Sequence, residues 1–300
     1  MKPKRFIVGV DSSAESRRAS IEAIELAKLV EAKVTLLHAV HTQFGDLDSF
    51  AHDIASLMEE EAKHANEALK ELSNGFVKQG ATVSYYTKHG HPEEVLSDAA
   101  VDEHADLCIV GSHGYTGLER FLMGSVAERV VRTCPTNVLV SRRDVDRREG
   151  YDRILVAVDF TDLSEQALAQ ALEFANPGAT VDLVHCWQLP ATGAFHYTPV
   201  VVQERFVAPV RLAIREDVNK QAEALLEKYR RGGVELHFEA EEGPTVHTLL
   251  ERLEDPGGYD LVAMGSHGRR GVRRFILGSV AEKVMRFAKC SVLIAHAKQP

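Results

Sequence analysis

The sequence predicts an α/β fold: two tandem domains, each a doubly wound sheet of five parallel strands. Three observations lead there. They are a domain-length internal repeat, a regular alternation of strand and helix patterns within each copy, and continuous apolar runs that suit strands buried on both faces. Residues 111–130 read GSHGYTGLERFLMGSVAERV, and residues 265–284 read GSHGRRGVRRFILGSVAEKV. The copies also begin alike, Phe6-Ile-Val-Gly-Val-Asp11 against Ile154-Leu-Val-Ala-Val-Asp159. Leu36-Leu-His38-Ala39 matches Leu183-Val-His185-Cys186 in the same way. A period of about 150 residues is a whole domain rather than a solenoid unit. The expected domains are 1–144 and 150–300, joined by the charged segment 142–150.

The first copy opens with a strand over 4–10, an apolar run that stops at Asp11. A helical pattern over 13–31 follows, then a strand at 33–39 and a long charged helix over 50–79. A strand at 81–88, a helix at 92–103, a strand at 106–110, a helix at 125–132 and a strand at 136–141 complete it. In the second copy the strands fall at 152–158, 180–186, 233–240, 260–264 and 290–296. Its helices fall at 163–176, 205–230, 245–254 and 279–288. Leu107-Cys-Ile-Val110 and Leu261-Val-Ala-Met264 are the plainest buried runs. The interval from Asp159 to Gly265 exceeds that from Asp11 to Gly111 by six residues, an insertion expected within 187–204. The long helices 50–79 and 205–230 read as amphipathic, with a solvated charged face. Strand–helix alternation implies parallel strands, and in such sheets ligands bind beyond the carboxyl ends at the switch in strand order. Asp11, Asp159 and both glycine loops fall there.

Bulk properties narrow the function. The chain of 300 residues is 45% hydrophobic and 26% charged, an ordinary globular balance. A net charge of −9 argues against nucleic acid, which needs a basic footprint. The apolar run after Met1-Lys-Pro-Lys-Arg5 is too short for a signal peptide, and no run approaches the ~18 residues of a membrane span. A cytoplasmic protein with no membrane partner is expected. Cys108, Cys134, Cys186 and Cys290 lie far apart without a CxxC spacing, which fits a reducing compartment. His89-Gly-His91 has no companion ligand, so no metal site is expected.

The chemistry concentrates in Gly111-x2-Gly114-x9-Gly124-Ser125 and Gly265-x2-Gly268-x9-Gly278-Ser279. Glycines allow positive φ and close approach of the backbone to a ligand. Ser125-Val-Ala-Glu128 and Ser279-Val-Ala-Glu282 have capping-box spacing, and free N–H groups at a helix start hold anions. One such loop could simply cap and turn; two, at equivalent places, point to phosphate. The motif is neither a Walker A loop nor a dinucleotide GxGxxG fingerprint. Arg269, Arg270, Arg273 and Arg274 crowd the second loop, against Arg120 alone in the first. Arg270 and Arg274 are read as guanidinium partners for a triphosphate.

With an aspartate closing the first strand and G-x2-G-x9-G-S after the fourth, the chain resembles the ATP-binding branch of the universal stress protein family, twice over and along nearly its entire length. The resemblance implies a Rossmann-like domain, similar to the adenine nucleotide alpha hydrolase fold, holding ATP with Mg2+ as an optional companion. By position it implies Gly9, Asp11 and Ala39 at the adenosine end of the first site, and Ala157, Asp159 and Cys186 in the second. Ribose and phosphates would meet Val110, Gly111, His113, Gly114, Gly124, Ser125 and Val126. The second set is Met264, Gly265, His267, Gly268, Gly278, Ser279 and Val280. It also implies pairing through the fifth strands. Here those strands would be Asn137–Ser141 and Ser291–Ala295, antiparallel within one chain, covering edges that otherwise invite association. A linker of about ten residues reaches ~35 Å, enough for that arrangement. A further homodimer is compatible with it.

His113 and His267 read as turn residues that orient the loop, because no carboxylate or nucleophile keeps fixed spacing to them. The expected function is therefore a regulatory ATP-binding stress protein with no catalytic residue. The rival is a slow ATPase or self-phosphorylating protein using Ser125 or Ser279. An adenylating enzyme of the PP-loop type is disfavoured, because neither first strand leads into SGGxDS.

Overall fold

The computed structural model describes residues 2–41, 51–113, 123–142, 150–189, 200–255, 257–268 and 277–297, with the backbone alone for 51–56 and 200–206. Its first repeat runs β1 (Arg5–Gly9), α1 (Ala14–Val30), β2 (Lys33–Val40), α2 (Ala51–Lys78), β3 (Thr82–His89), α3 (Pro92–Asp102), β4 (Leu107–Gly111), α4 (Ser125–Thr133) and β5 (Asn137–Ser141). The second runs β6 (Tyr151–Ala157), α5 (Asp162–Glu173), β7 (Ala175–Trp187), α6 (Val200–Tyr229), β8 (Val234–Glu242), α7 (Thr245–Leu253), β9 (Leu261–Gly265), α8 (Ser279–Phe287) and β10 (Ser291–Ala295).

All ten strands form one sheet in the order β3-β2-β1-β4-β5-β10-β9-β6-β7-β8. Within each repeat every pairing is parallel, so each half is a doubly wound sheet whose order switches between its first and fourth strands. Side chains alternate across the pleat. Phe6 and Val8 of β1 thus join the core under α1 and α2, whereas Ile7 joins that under α3 and α4. No helix among the described residues is long and apolar enough to cross a membrane. All four cysteines are free thiols.

The repeats meet where β5 and β10 pair antiparallel, with Val140 opposite Val292, Leu139 opposite Leu293 and Val138 opposite Ile294. Those six side chains are fully buried. Polar side chains also cross the junction. Glu22 of α1 accepts hydrogen bonds from Tyr151 Oη at 2.7 Å and Ser291 Oγ at 2.8 Å. In the mirrored place, Gln166 of α5 donates to Asn137 Oδ1 at 2.9 Å, and Asn137 donates to Gln170. Each first helix of a repeat therefore grips the fifth strand of the other.

Two element boundaries differ from the sequence reading. The helix expected to reach 176 stops at Glu173, and β7 begins at Ala175. Phe174 is wholly buried, and its carbonyl accepts from Tyr151 N at 2.9 Å, drawing the chain into the sheet. A register shift between Tyr151 and Arg153 absorbs the early start. The long helix of the second repeat starts at Val200 rather than 205 and carries Pro209 within it. The linker 143–149 and most of the expected insertion, 190–199, lie outside the described residues.

Candidate functional site

The corner after β1 is held by its own side chains. Asp11 Oδ1 accepts from Ser13 N at 2.9 Å and from the Ser13 hydroxyl. Ser13 caps α1 by accepting from Ser16 N at 3.1 Å, and Ser16 Oγ donates to Asp11 O at 2.8 Å. In the second repeat Asp159 Oδ1 accepts from Thr161 N at 3.1 Å and Thr161 Oγ1 at 2.6 Å. An aspartate bonding backbone two residues ahead is a turn device, so each aspartate builds its corner and also lines the cavity beyond it.

The loop after β4 closes at its base through Gly124 N, which donates to Ser112 O at 2.8 Å; Gly278 N donates to Ser266 O at the same distance. That closure makes the glycine the helix N-cap. Gly124 (φ −64°, ψ 144°) and Gly278 (φ −65°, ψ 149°) precede α4 and α8, and neither helix has a side-chain cap. The capping boxes expected at Ser125 and Ser279 do not form: each serine is already the first helical residue. Glu128 turns to Arg132 at 3.0 Å, and Glu282 meets Arg132 at 3.3 Å. Among the described residues no side chain partners the first N–H groups of either helix, the arrangement that accepts an anion.

The described glycines of the site serve space rather than left-handed backbone. None of Gly9, Gly111, Gly265, Gly268 and Gly278 has positive φ. A Cβ on Gly111 would lie 2.9 Å from the Glu15 carbonyl carbon, and one on Gly265 would lie 2.9 Å from Leu163 Cβ. The fourth strand of each repeat thus packs its end directly on the start of the first helix. On Gly268 a Cβ would meet Asp159 Oδ2 at 3.1 Å, on the cavity side.

These elements enclose one cavity per repeat. The second, about 600 Å3, is lined by Ala157, Asp159, Cys186, Met264, Gly265, His267, Gly268, Gly278, Ser279 and Val280 among others. In the first, about 280 Å3, lie Gly9, Asp11, Ala39, Val110, Gly111, His113, Gly124, Ser125 and Val126. Gly114, Arg270 and Arg274 fall outside the described residues. Sequence reasoning missed His38 and His185, whose Nδ1 atoms donate to Val10 O and Val158 O at 2.7 Å. The repeated Leu-x-His signal contained them. It also missed Ser16, Ser164, Leu96, Leu249 and Trp187, all cavity-lining. Ser112 Oγ and Ser266 Oγ lie 3.0 Å from the Nδ1 atoms of His113 and His267, and the Nε2 atom of each histidine is buried without a partner. Burial lowers the pKa of His267 and raises that of Cys186 to about 11, so this thiol stays protonated at neutral pH. Among the described residues no cluster of three His, Cys, Asp or Glu could hold a metal ion.

The sequence pattern of the universal stress protein family matches residues 2–142 and again 150–296. The chain belongs to the universal stress protein family. It is 28% identical over 305 residues to a universal stress protein of Mycolicibacterium smegmatis, covering 98% of this chain and 97% of that one. Universal stress protein YxiE of Bacillus subtilis is 30% identical over 148 residues, 49% of this chain and 99% of its own. The crystal structure of a universal stress protein from Archaeoglobus fulgidus shares the fold, with a TM-score of 0.67 at 23% identity and full coverage of both chains. In this universal stress protein Leu96 of α3 reaches over Gly9, where a Cβ would meet its Cδ1 at 2.9 Å; the second repeat carries Ala157 at that position, with Leu249 of α7 and Trp187 lining its cavity.

Proposed function

We propose that each repeat binds one adenine nucleotide, ATP, and that the protein acts by binding it in a stress-response role rather than by turning it over. The observation that carries this is the start of α4 and α8, each lining a cavity at the sheet's switch point with no cap from the side chain of its N-cap residue. Such a start supplies N–H donors and the positive end of a helix dipole to phosphate oxygens. The apolar strand ends, with Val110 or Met264 on the floor, suit a base and ribose. His38, whose Nδ1 is already donating, keeps Nε2 as an acceptor for a ligand amino or hydroxyl group. Asp11 and Asp159 are the acidic side chains among the lining residues, at the end of the first strand where amino or hydroxyl groups of the adenosine would donate to them. The second cavity, about 600 Å3, is within the usual range for small-molecule sites, about 300–1,000 Å3, and the first, about 280 Å3, lies just below it.

Calorimetric titration with ATP is expected to give two sites per chain. The chain has a single tryptophan, Trp187, and it lines the second cavity. Its fluorescence therefore reports occupancy of that site alone, while the heat reports both. A correctly folded chain that binds no ATP would defeat the proposal. Steady-state hydrolysis on the order of 1 per second would replace binding with turnover.

A further inference from the structure

Where the repeats meet there is a third cavity, of about 810 Å3, which neither repeat encloses alone. Arg18 of α1, His113 after β4, and Ser141 and Arg142 at the end of β5 form one wall; Arg286 and Lys289, at the end of α8 and just past it, form part of the other. Arg18, Arg286 and Lys289 reach solvent and lie 3.7 Å from Glu15, 3.7 Å from Glu282 and 3.8 Å from Glu254, with Glu15 and Glu254 also lining the cleft. A buried charge is different, being costly unless an opposite charge reaches it. Arg142 has no carboxylate partner among the described residues. Its Nη2 donates to Met285 O at 2.6 Å, and its Nη1 is buried with no partner. Burial pushes the neighbouring Cys290 thiol up to about 12, so it stays neutral and supplies no counter-charge. Ser141, only 3% exposed, adds an unpartnered hydroxyl to the same wall, and His113 adds an unpartnered Nε2.

We propose that this interrepeat cleft binds a small polyanion, phosphorylated or polycarboxylic, whose charge completes the Arg142 guanidinium. The planar fork of arginine suits both oxyanion chemistries, and the volume is that of a small-molecule site. At the matching end of β10, Ala295 and His296 stand where Ser141 and Arg142 stand after β5, and the deeply buried His296 is neutral near pH 7.

The test is calorimetric titration of the full chain with inorganic tripolyphosphate and, separately, with citrate. One equivalent of at least one probe should weaken about tenfold or more in Arg142→Gln, the scale of a lost charge-assisted hydrogen bond. Arg142 also ties α8 to β5, so two further variants guard against misfolding. The double variant Arg286→Gln/Lys289→Gln removes exposed wall charges, and Ser141→Ala removes a hydroxyl with no partner among the described residues. Both should keep the native circular dichroism and weaken the same equivalent several-fold. Binding of tripolyphosphate or of citrate identifies the oxyanion class. The proposal is overturned if neither probe binds, or if the variants bind both as the parent chain does. It stands apart from the nucleotide proposal. A chain that binds no ATP yet loses a tripolyphosphate equivalent in Arg142→Gln keeps the cleft, and one that binds two ATP with variants indifferent to both probes loses it.

Discussion

Gly268 and His296 are the two positions at which a single substitution separates site from fold. Among the described residues a Cβ on Gly268 meets only Asp159 Oδ2, at 3.1 Å, whereas one on Gly265 also presses on the backbone at His267 O, 3.2 Å away. Gly268→Val is therefore expected to change stability by less than about 1 kcal/mol. It should weaken ATP at the second cavity at least tenfold, read by Trp187 fluorescence, and leave the first site untouched; unchanged affinity would make the loop purely structural. His296 shows the opposite behaviour. Burial, reinforced by the nearby His267, brings its folded pKa down to about 4, below the ~6.5 of an unfolded histidine. The unfolded chain thus binds the extra proton first, so this contribution is complete above pH 6.5 and is lost as pH falls towards 4. The loss is about 3 kcal/mol over that window. Urea unfolding of His296→Leu should show a correspondingly flatter decline between pH 6.5 and 4; a slope identical to that of the parent chain would refute the assignment.

At the scale of elements, the β5–β10 pairing fixes which cysteine pairs can close. Leu139 faces Leu293 and Val138 faces Ile294, and opposed pairs in an antiparallel ladder alternate between wide and narrow spacing. One of the double variants Leu139→Cys/Leu293→Cys and Val138→Cys/Ile294→Cys is expected to form an intrachain disulfide. The offset pair Val138→Cys/Leu293→Cys should not, its side chains pointing to opposite faces. Mass spectrometry of the unreduced monomer decides this; no crosslink from either opposed pair would break the proposed junction. How legible these elements were depends on what defines them. Buried parallel strands such as Leu107–Gly111 show as apolar runs, and the antiparallel junction was implied by the family resemblance, with uncharged fifth strands agreeing with it. The cap at Gly124 was hidden, because Ser125 and Glu128 have the right spacing and only loop closure through Ser112 O displaces the serine from the cap. The early start of β7 was hidden likewise: Phe174 leaves its helix because of a bond to Tyr151, more than twenty residues upstream.

For the whole molecule, the repeat in the sequence disclosed two equivalent sites but not their inequality. His38 and His185 were visible as a match and silent as to role, since only the fold brings their Nδ1 atoms to the carbonyls after β1 and β6. Leu96 over Gly9 depends on how α3 crosses the sheet, which no local pattern encodes. The interrepeat cleft was less legible still, being assembled from residues far apart in sequence. One consequence of the internal β5–β10 pairing concerns inheritance rather than energy. In a dimer of identical chains each substitution appears on both sides of the axis, so neither half can specialise alone. A covalent tether removes that restriction. Arg142 can stand on one side and His296 on the other, and because the partner is attached, dilution cannot part the two halves or the composite cleft they share.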